Sequence, residues 1–300
     1  MSTILVGCGQ ITWTRFTSKG AERLAPEEQI LAEIAQAGYD GAPAGPEEGR
    51  SPQETIALYG RYGLRPAPGY VGTAFWNKQR RGEILERVRR HAFFSRDAGC
   101  TELYVAPGGF DYVTRGGWTR RETAGHVRPE DSLTDDEFQI FGETLNMVGE
   151  ITLAEGVRSC FHNHVGTVIE TREEVDRLLA LTDPSRVFLG PDTGHLAWAG
   201  ADPVAFCRDY ATRIKTLHLK DIDAAVRDRG RDAGWDYDIF TKHGVFVELG
   251  EGCVDFPAIF AILRDVDFSG WVITETDVTQ KPTALESVTV SRAYLRGLGV

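Results

Sequence analysis

Short apolar runs alternate along the chain with longer stretches whose apolar positions recur every three or four residues. The short runs suit strands buried on both faces, and the longer stretches suit amphipathic helices. The pattern predicts strands at 4–6, 39–42, within 64–75, and at 103–106, 157–164, 187–189, 214–219 and 271–274. It predicts helices at 27–37, 52–62, 83–98, 135–155, 171–181, 202–210, about 256–263 and about 282–295. Ile84, Leu85, Val88, Ala92 and Phe93 give the third of these its apolar face. Three helices carry the Ser/Thr-x-x-Glu spacing of a capping box, in Ser51 with Glu54, Thr134 with Glu137 and Thr171 with Glu174. Pro203 suits the first turn of another. Residues 108–132 and 221–253 are expected to be irregular, and stretches of that length in a compact domain usually carry function.

Roughly eight strand–helix units in 300 residues imply a parallel sheet closed into a single (β/α)8 barrel domain spanning 1–300. An open doubly wound sheet is the alternative, and it wants a glycine fingerprint after the first strand. Gly7-Cys8-Gly9-Gln10-Ile11-Thr12 has two glycines and no third where one is required, so no dinucleotide site is read there.

Composition narrows the partners. Lys plus Arg is 33 and Asp plus Glu is 44, a net charge of −11. Such a surface repels phosphate backbones, which argues against nucleic acid and against an anionic membrane. It leaves room for a small neutral sugar or polyol. The five cysteines are scattered with no C-x-x-C pair, so neither a disulfide framework nor a thiolate zinc site is suggested. The first residues lack a basic signal-peptide region, and no apolar run nears the ~18 residues of a membrane span. The expected compartment is the cytoplasm.

In a βα barrel the C-terminal ends of the strands converge on one mouth, where chemistry is done. Four consecutive strand ends here carry ionisable groups: His162-Asn163-His164, Asp192-Thr193-Gly194-His195, His218-Leu219-Lys220-Asp221 and Glu275-Thr276-Asp277. Any one of them alone would be satisfied by ordinary hydrogen bonds. Four adjacent ends holding metal-ligand residue types would bury uncompensated charge, and a divalent cation removes that cost. Asp192, His218 and Glu275 form an oxygen and nitrogen ligand set suited to manganese, cobalt, magnesium or zinc. The fifth strand supplies the fourth ligand. Residues i and i+2 share a face, so His162 and His164 point the same way. The deeper His162 is the candidate ligand, and His164 is better placed for substrate.

The motifs around these residues carry a resemblance. Phe161-His162-Asn163-His164-Val165-Gly166-Thr167, Asp192-Thr193-Gly194-His195-Leu196, His218-Leu219-Lys220-Asp221 and Gly250-Glu251-Gly252-Cys253-Val254-Asp255-Phe256 resemble the inosose dehydratases. These belong to the xylose-isomerase-like superfamily of sugar isomerases and epimerases. The resemblance is dense over about 157–275 and weaker before it. It implies a barrel with one divalent metal, favouring manganese or cobalt, at positions matching Asp192, His218 and Glu275. It implies a substrate-facing histidine at His195 and, as in many such enzymes, homo-oligomers. The chain departs from the pattern at Asn163, at Leu249-Gly250-Glu251-Gly252 and after Glu275, the last two near the expected substrate pocket.

The activity implied is a metal-dependent carbon–oxygen lyase, a dehydratase of a keto-inositol or related keto-sugar acting through a metal-stabilised enediolate. The same site would serve a sugar epimerase or isomerase, or β-elimination of a keto-glycoside. A non-catalytic sugar-binding protein is the alternative of a different class, and it would need no metal. His195, His164 and Glu248 are the candidates for proton transfer, with Lys220 as an electrostatic aid. A salt bridge to Asp221 or another carboxylate is the other role open to Lys220. Trp13, Phe75 and Trp76 follow early strands and are candidates to wall the pocket, with core packing as their other role.

Overall fold

The structure is a computed structural model that describes residues 3–17 and 20–300. Its strands are β1 (Ile4–Cys8), β2 (Gly41–Pro43), β3 (broken into Arg65–Ala67 and Tyr70–Thr73), β4 (Glu102–Pro107), β5 (Arg158–Phe161), β6 (Val187–Leu189), β7 (Leu217–Leu219) and β8 (Gly270–Thr274). All run parallel, and β1 pairs with both β2 and β8. The break in β3 falls at Pro68-Gly69, where proline offers no N–H to a ladder. The strand therefore changes partner, its first half lying on β2 and its second on β4. From β4 the ladder passes through β5 to β6, and β7 pairs with β8. Parallel bridges Leu189↔Ile214 and Asp192↔His218 join β6 to β7 and close the ring.

The helices are α1 (Glu27–Ala37), α2 (Pro52–Gly60), α3 (Arg81–Asp97), α4 (Asp135–Ala154), α5 (Arg172–Ala180), α6 (Thr193–Trp198), α7 (Pro203–Tyr210), α8 (Ala224–Ala233), α9 (Tyr237–Lys242), α10 (Phe256–Asp265) and α11 (Ala284–Gly297). All three expected capping boxes form, at the starts of α2, α4 and α5. A small apolar layer of Ala67, Tyr104, Trp271 and Ile273 fills the barrel interior. A larger core, with Ile34, Val88, Phe141, Leu178 and Phe260, contains the apolar faces of the surrounding helices. No helix among the described residues is long and apolar enough to cross a membrane.

The structure differs from the sequence pattern in four places. The fifth strand ends at Phe161 rather than 164, which leaves residues 162–164 in the mouth. The stretch 221–253 is not irregular. It holds α8, α9 and an antiparallel pair, Asp221–Ile222 with Phe246–Val247. Its helices were hidden because they are mostly polar, and Asp223 and Asp236 start them by capping rather than by an apolar stripe. Asp192 likewise caps the short α6. After β1 a 3-10 turn (Gln10–Trp13) and a hairpin (Thr14–Thr17 with Gly20–Arg23) precede α1. Residues 108–132 are irregular as expected, apart from a 3-10 turn at Pro129–Asp131.

Candidate active site

The last four strand ends meet. His162, Asp192 and His218 each offer a ligand atom within 4.8 Å of the others, and all three are buried. Glu275 joins them, its Oε2 lying 3.0 Å from His218 Nδ1. Sequence neighbours complete the geometry. His162 Nδ1 donates to the Gly190 carbonyl at 3.2 Å, so its Nε2 keeps a free lone pair. Asp192 Oδ1 accepts the His195 N–H at 2.9 Å while Oδ2 has no hydrogen bond. The Asn163 carboxamide ties down the Asp192 backbone, accepting its N–H at 3.1 Å and donating to its carbonyl at 3.4 Å. Tyr104 lies beneath, its ring 4.2 Å from that of His218. An enclosed group of imidazole nitrogens and carboxylate oxygens, with the His162 Nε2 lone pair free, fits a divalent cation.

His164, His195 and Asp277 form a second group whose ligand atoms lie within 4.8 Å of one another. The Lys220 ammonium lies between the two groups. It is 3.1 Å from Asp192 Oδ2, 3.4 Å from Glu275 Oε2, 2.8 Å from Asp277 Oδ1 and 3.2 Å from His195 Nε2. Lys220 does not pair with its neighbour Asp221. That carboxylate instead accepts the N–H groups of Ile222, Gly250, Gly252 and Val254 at 2.9–3.1 Å, fastening the loop after β7.

The electrostatics follow from burial and from this lysine. Burial keeps His162 and His195 neutral, well below the ordinary imidazole range, and lowers His164 to about 3. Burial opposes the charge on Lys220, but Asp192, Asp277 and Glu275 outweigh it and hold the ammonium firmly charged. Burial would raise Glu275, yet His218 and Lys220 hold it down at about 2. Burial raises Asp277 to about 6 against the pull of Lys220.

A cavity of about 330 Å³ opens over these groups, lined by Tyr70, His162, His164, His218, Lys220, Glu275 and Asp277 together with Ile11, Pro43 and Pro68. A larger cavity of about 590 Å³ lies around Thr3, Arg65, Arg158 and Ser269 and touches none of the clustered histidines. Trp13, Phe75 and Trp76 are not among the residues lining the cavity over the cluster. The Trp13 indole donates to Glu33 at 2.6 Å. Phe75 stacks on Phe141 at 5.6 Å in the core, and Trp76 packs against Tyr112 and Phe141. Glu248 also lies apart, accepting from Thr279 at 2.5 Å with Lys281 at 3.7 Å.

Tyr70 is the aromatic residue lining that cavity, and other rings pack against the clustered histidines. Phe110 meets the His164 ring edge-on at 5.5 Å, and Tyr237 meets Phe110 at 5.2 Å. Trp198 stacks on both Tyr237 and His195. These rings come from the two long loops and from α6, where no strand pattern marks them. Asp277 stands two residues past Glu275 at the same strand end, beyond the last strand residue, Thr274. Tyr70 follows the proline break that obscures its strand.

A buried ionic cluster secures the loop that carries Phe110. Arg120 donates to Glu174 at 2.8 and 3.0 Å and to the Asp131 carbonyl at 3.0 Å. Glu170 accepts the N–H of Gly125 and of Gly166, each at 2.7 Å. Gly166 has φ +79°, and a Cβ there would come within 2.8 Å of Phe110. That close approach requires glycine.

Comparison with known proteins agrees with this architecture. The chain is 33% identical to an inosose dehydratase of Geobacillus kaustophilus over 96% of its own length and 91% of that relative. It is 32% identical to the rhizopine catabolism protein MocC of Rhizobium meliloti, over 97% of this chain and 86% of that one. The fold superposes on the crystal structure of the probable 3-DHS dehydratase AsbF of Bacillus anthracis with a TM-score of 0.70, 15% identity and 99% coverage of each chain. Residues 28–295 match the xylose isomerase-like TIM barrel family, and the chain belongs to that family.

Proposed function

We propose that this protein is a divalent-metal-dependent dehydratase of a keto-inositol or a closely related keto-sugar. The observation that carries the proposal is the meeting of His162, Asp192, His218 and Glu275 under one cavity. The similarity to inosose dehydratases over nearly the whole chain supports it. The four side chains would hold one cation; the mixed imidazole and carboxylate set suits manganese, cobalt, magnesium or zinc, and the resemblance to inosose dehydratases favours manganese or cobalt. When bound, the cation supplies Lewis acidity, which makes the C–H beside a ketone easier to break.

The protein's own groups do the rest. His164 lines the cavity, and its Nδ1 donates to the Val165 carbonyl at 2.7 Å, leaving Nε2 free to take the proton from carbon. Lys220 lines the same cavity as an ammonium and eases the negative charge on the departing hydroxyl of the next carbon, which leaves as water with the proton His164 took. The products are a conjugated ketone and water. His195, held on Lys220 through Nε2, fixes the direction of the ammonium. Phe110, Tyr237 and Trp198 restrict water around the two histidines.

The test is an assay of the manganese- or cobalt-loaded protein on 2-keto-myo-inositol, followed by ultraviolet absorbance. Growth of an absorbance band from the conjugated ketone supports the proposal. Exchange of deuterium from heavy water into the substrate without that band would replace dehydration with epimerisation.

A further inference from the structure

The barrel has a second opening, at the N-terminal ends of its strands and away from the clustered histidines. The cavity of about 590 Å³ lies there, where β1, β3, β4, β5 and β8 begin, and Thr3, Arg65, Glu102, Arg158, Ser269 and Trp271 are among its lining. Residues i and i+2 share a face of a strand. Arg65 therefore points inward below Ala67 and Glu102 below Tyr104, both members of the interior apolar layer. Trp271 belongs to that layer and closes the cavity on the barrel side. A Cβ on Gly41 would come within 2.8 Å of the Trp271 ring, so glycine there lets the indole reach from β8 toward Arg65. This cavity and the one over the histidines share no lining residue.

Charge selects the occupant. Glu102 is 2% exposed, forms an ion pair with Arg158 and accepts from the Thr101 hydroxyl at 2.9 and 3.0 Å. Arg158 so paired keeps 37% of its side chain open. Arg65 is exposed, lies over the Trp271 ring at 5.4 Å and has no carboxylate partner among the described residues. An adjoining cavity of about 370 Å³ shares Arg158 and Ser269. It adds Asp267 and also Lys215, whose ammonium donates to the Thr212 carbonyl at 2.7 Å and has no carboxylate partner among the described residues. Arg65, Arg158 and Lys215 thus outnumber Glu102 and Asp267 by one positive charge, on a chain of net charge −11. A guanidinium without an acid beside it, in a space of this size, suits an oxyanion carried on a body larger than phosphate itself.

We infer that this opening binds a small organic oxyanion, a phosphate ester or a carboxylate, at a site separate from the catalytic cavity. Arg65 holds the oxyanion through paired N–H donors, and Arg158 serves as a positioning residue by keeping Glu102 from repelling it. The inference stands apart from the function proposed for the cluster at the other end of the barrel.

The experiment is calorimetric titration of the manganese-loaded protein with glucose 6-phosphate, gluconate and neutral glucose at low salt, repeated after the metal is chelated. The site predicts binding of at least one of the two anions, undiminished by chelation, and none of glucose. Comparing the two anions tells a phosphate site from a carboxylate site. Arg65→Gln removes the charge from an exposed side chain and should weaken binding by about tenfold or more, with circular dichroism unchanged. Lys220→Met, at the opposite end of the barrel, should leave the affinity as it was. Binding of neither anion, equal binding of glucose, or binding that requires manganese overturns the site. Loss of binding in Lys220→Met with none in Arg65→Gln overturns it as well, because the anion then sits at the mouth.

Discussion

Arg120 and Glu174 face each other through two hydrogen bonds, at 2.8 and 3.0 Å, with neither side chain open to solvent. Glu174 is also the capping-box residue of α5, so one carboxylate both starts a helix and anchors the loop over the mouth. Removing one partner of such a pair strands the other charge in the interior. Glu174→Ala should therefore destabilise the protein by about 3–5 kcal/mol, measured by urea unfolding.

The neighbouring Glu170 gives a pH dependence of definite sign. Burial raises its carboxyl from 4.5 to about 7, against the pull of Arg120. Between those values the folded state holds a proton that the unfolded state has released, so stability falls as pH rises from about 4.5 through about 7. Glu170→Gln cannot lose that proton. Its stability relative to wild type should improve by about 3 kcal/mol between pH 4.5 and pH 8, read from unfolding curves at the two pH values. An unchanged difference would contradict the assignment.

Gly9 explains why a glycine follows the first strand, where no dinucleotide fingerprint exists. A Cβ on Gly9 would lie 2.4 Å from Glu275 Oε1 and 2.5 Å from its Cγ. Gly9→Ala should push Glu275 out of the cluster and lower metal affinity or turnover by about 10–100-fold, with circular dichroism unchanged. Wild-type metal binding and rate in this variant would exclude Glu275 as a ligand.

A cation held at the cluster would compete with Lys220 for the same carboxylates. Lys220→Met removes the ammonium 3.1 Å from Asp192 and 3.4 Å from Glu275. Manganese affinity should rise by about tenfold as that repulsion is lost, while kcat falls by about 100-fold or more with the charge beside the departing hydroxyl gone. Calorimetry and steady-state kinetics separate the two effects. Weaker metal binding together with unchanged kcat would contradict the role.

How far the site could be read from residues alone follows from what strands conceal. Most of the barrel strands are visible as apolar runs, the third being obscured by its prolines, and the ends of the last four locate His162, Asp192, His218, Lys220 and Glu275, which the structure brings together. The period-two expectation for His162 and His164 assumed a strand that in fact ends at Phe161, and the two histidines, their rings 6.2 Å apart, join different groups. What escaped was supplied by long-range partners. Phe110 and Tyr237 reach the mouth from loops 127 residues apart, a separation no local pattern encodes. Trp13 and Phe75 follow strand signals as a pocket aromatic would, but Glu33 and Phe141 draw them elsewhere.

The central claim is that His162, Asp192, His218 and Glu275 share one cation. The most direct measurement is an anomalous difference map from crystals grown with manganese. The account predicts a single strong peak in contact with all four side chains. A peak bound elsewhere, or a manganese-saturated crystal with none at this cluster, would contradict it.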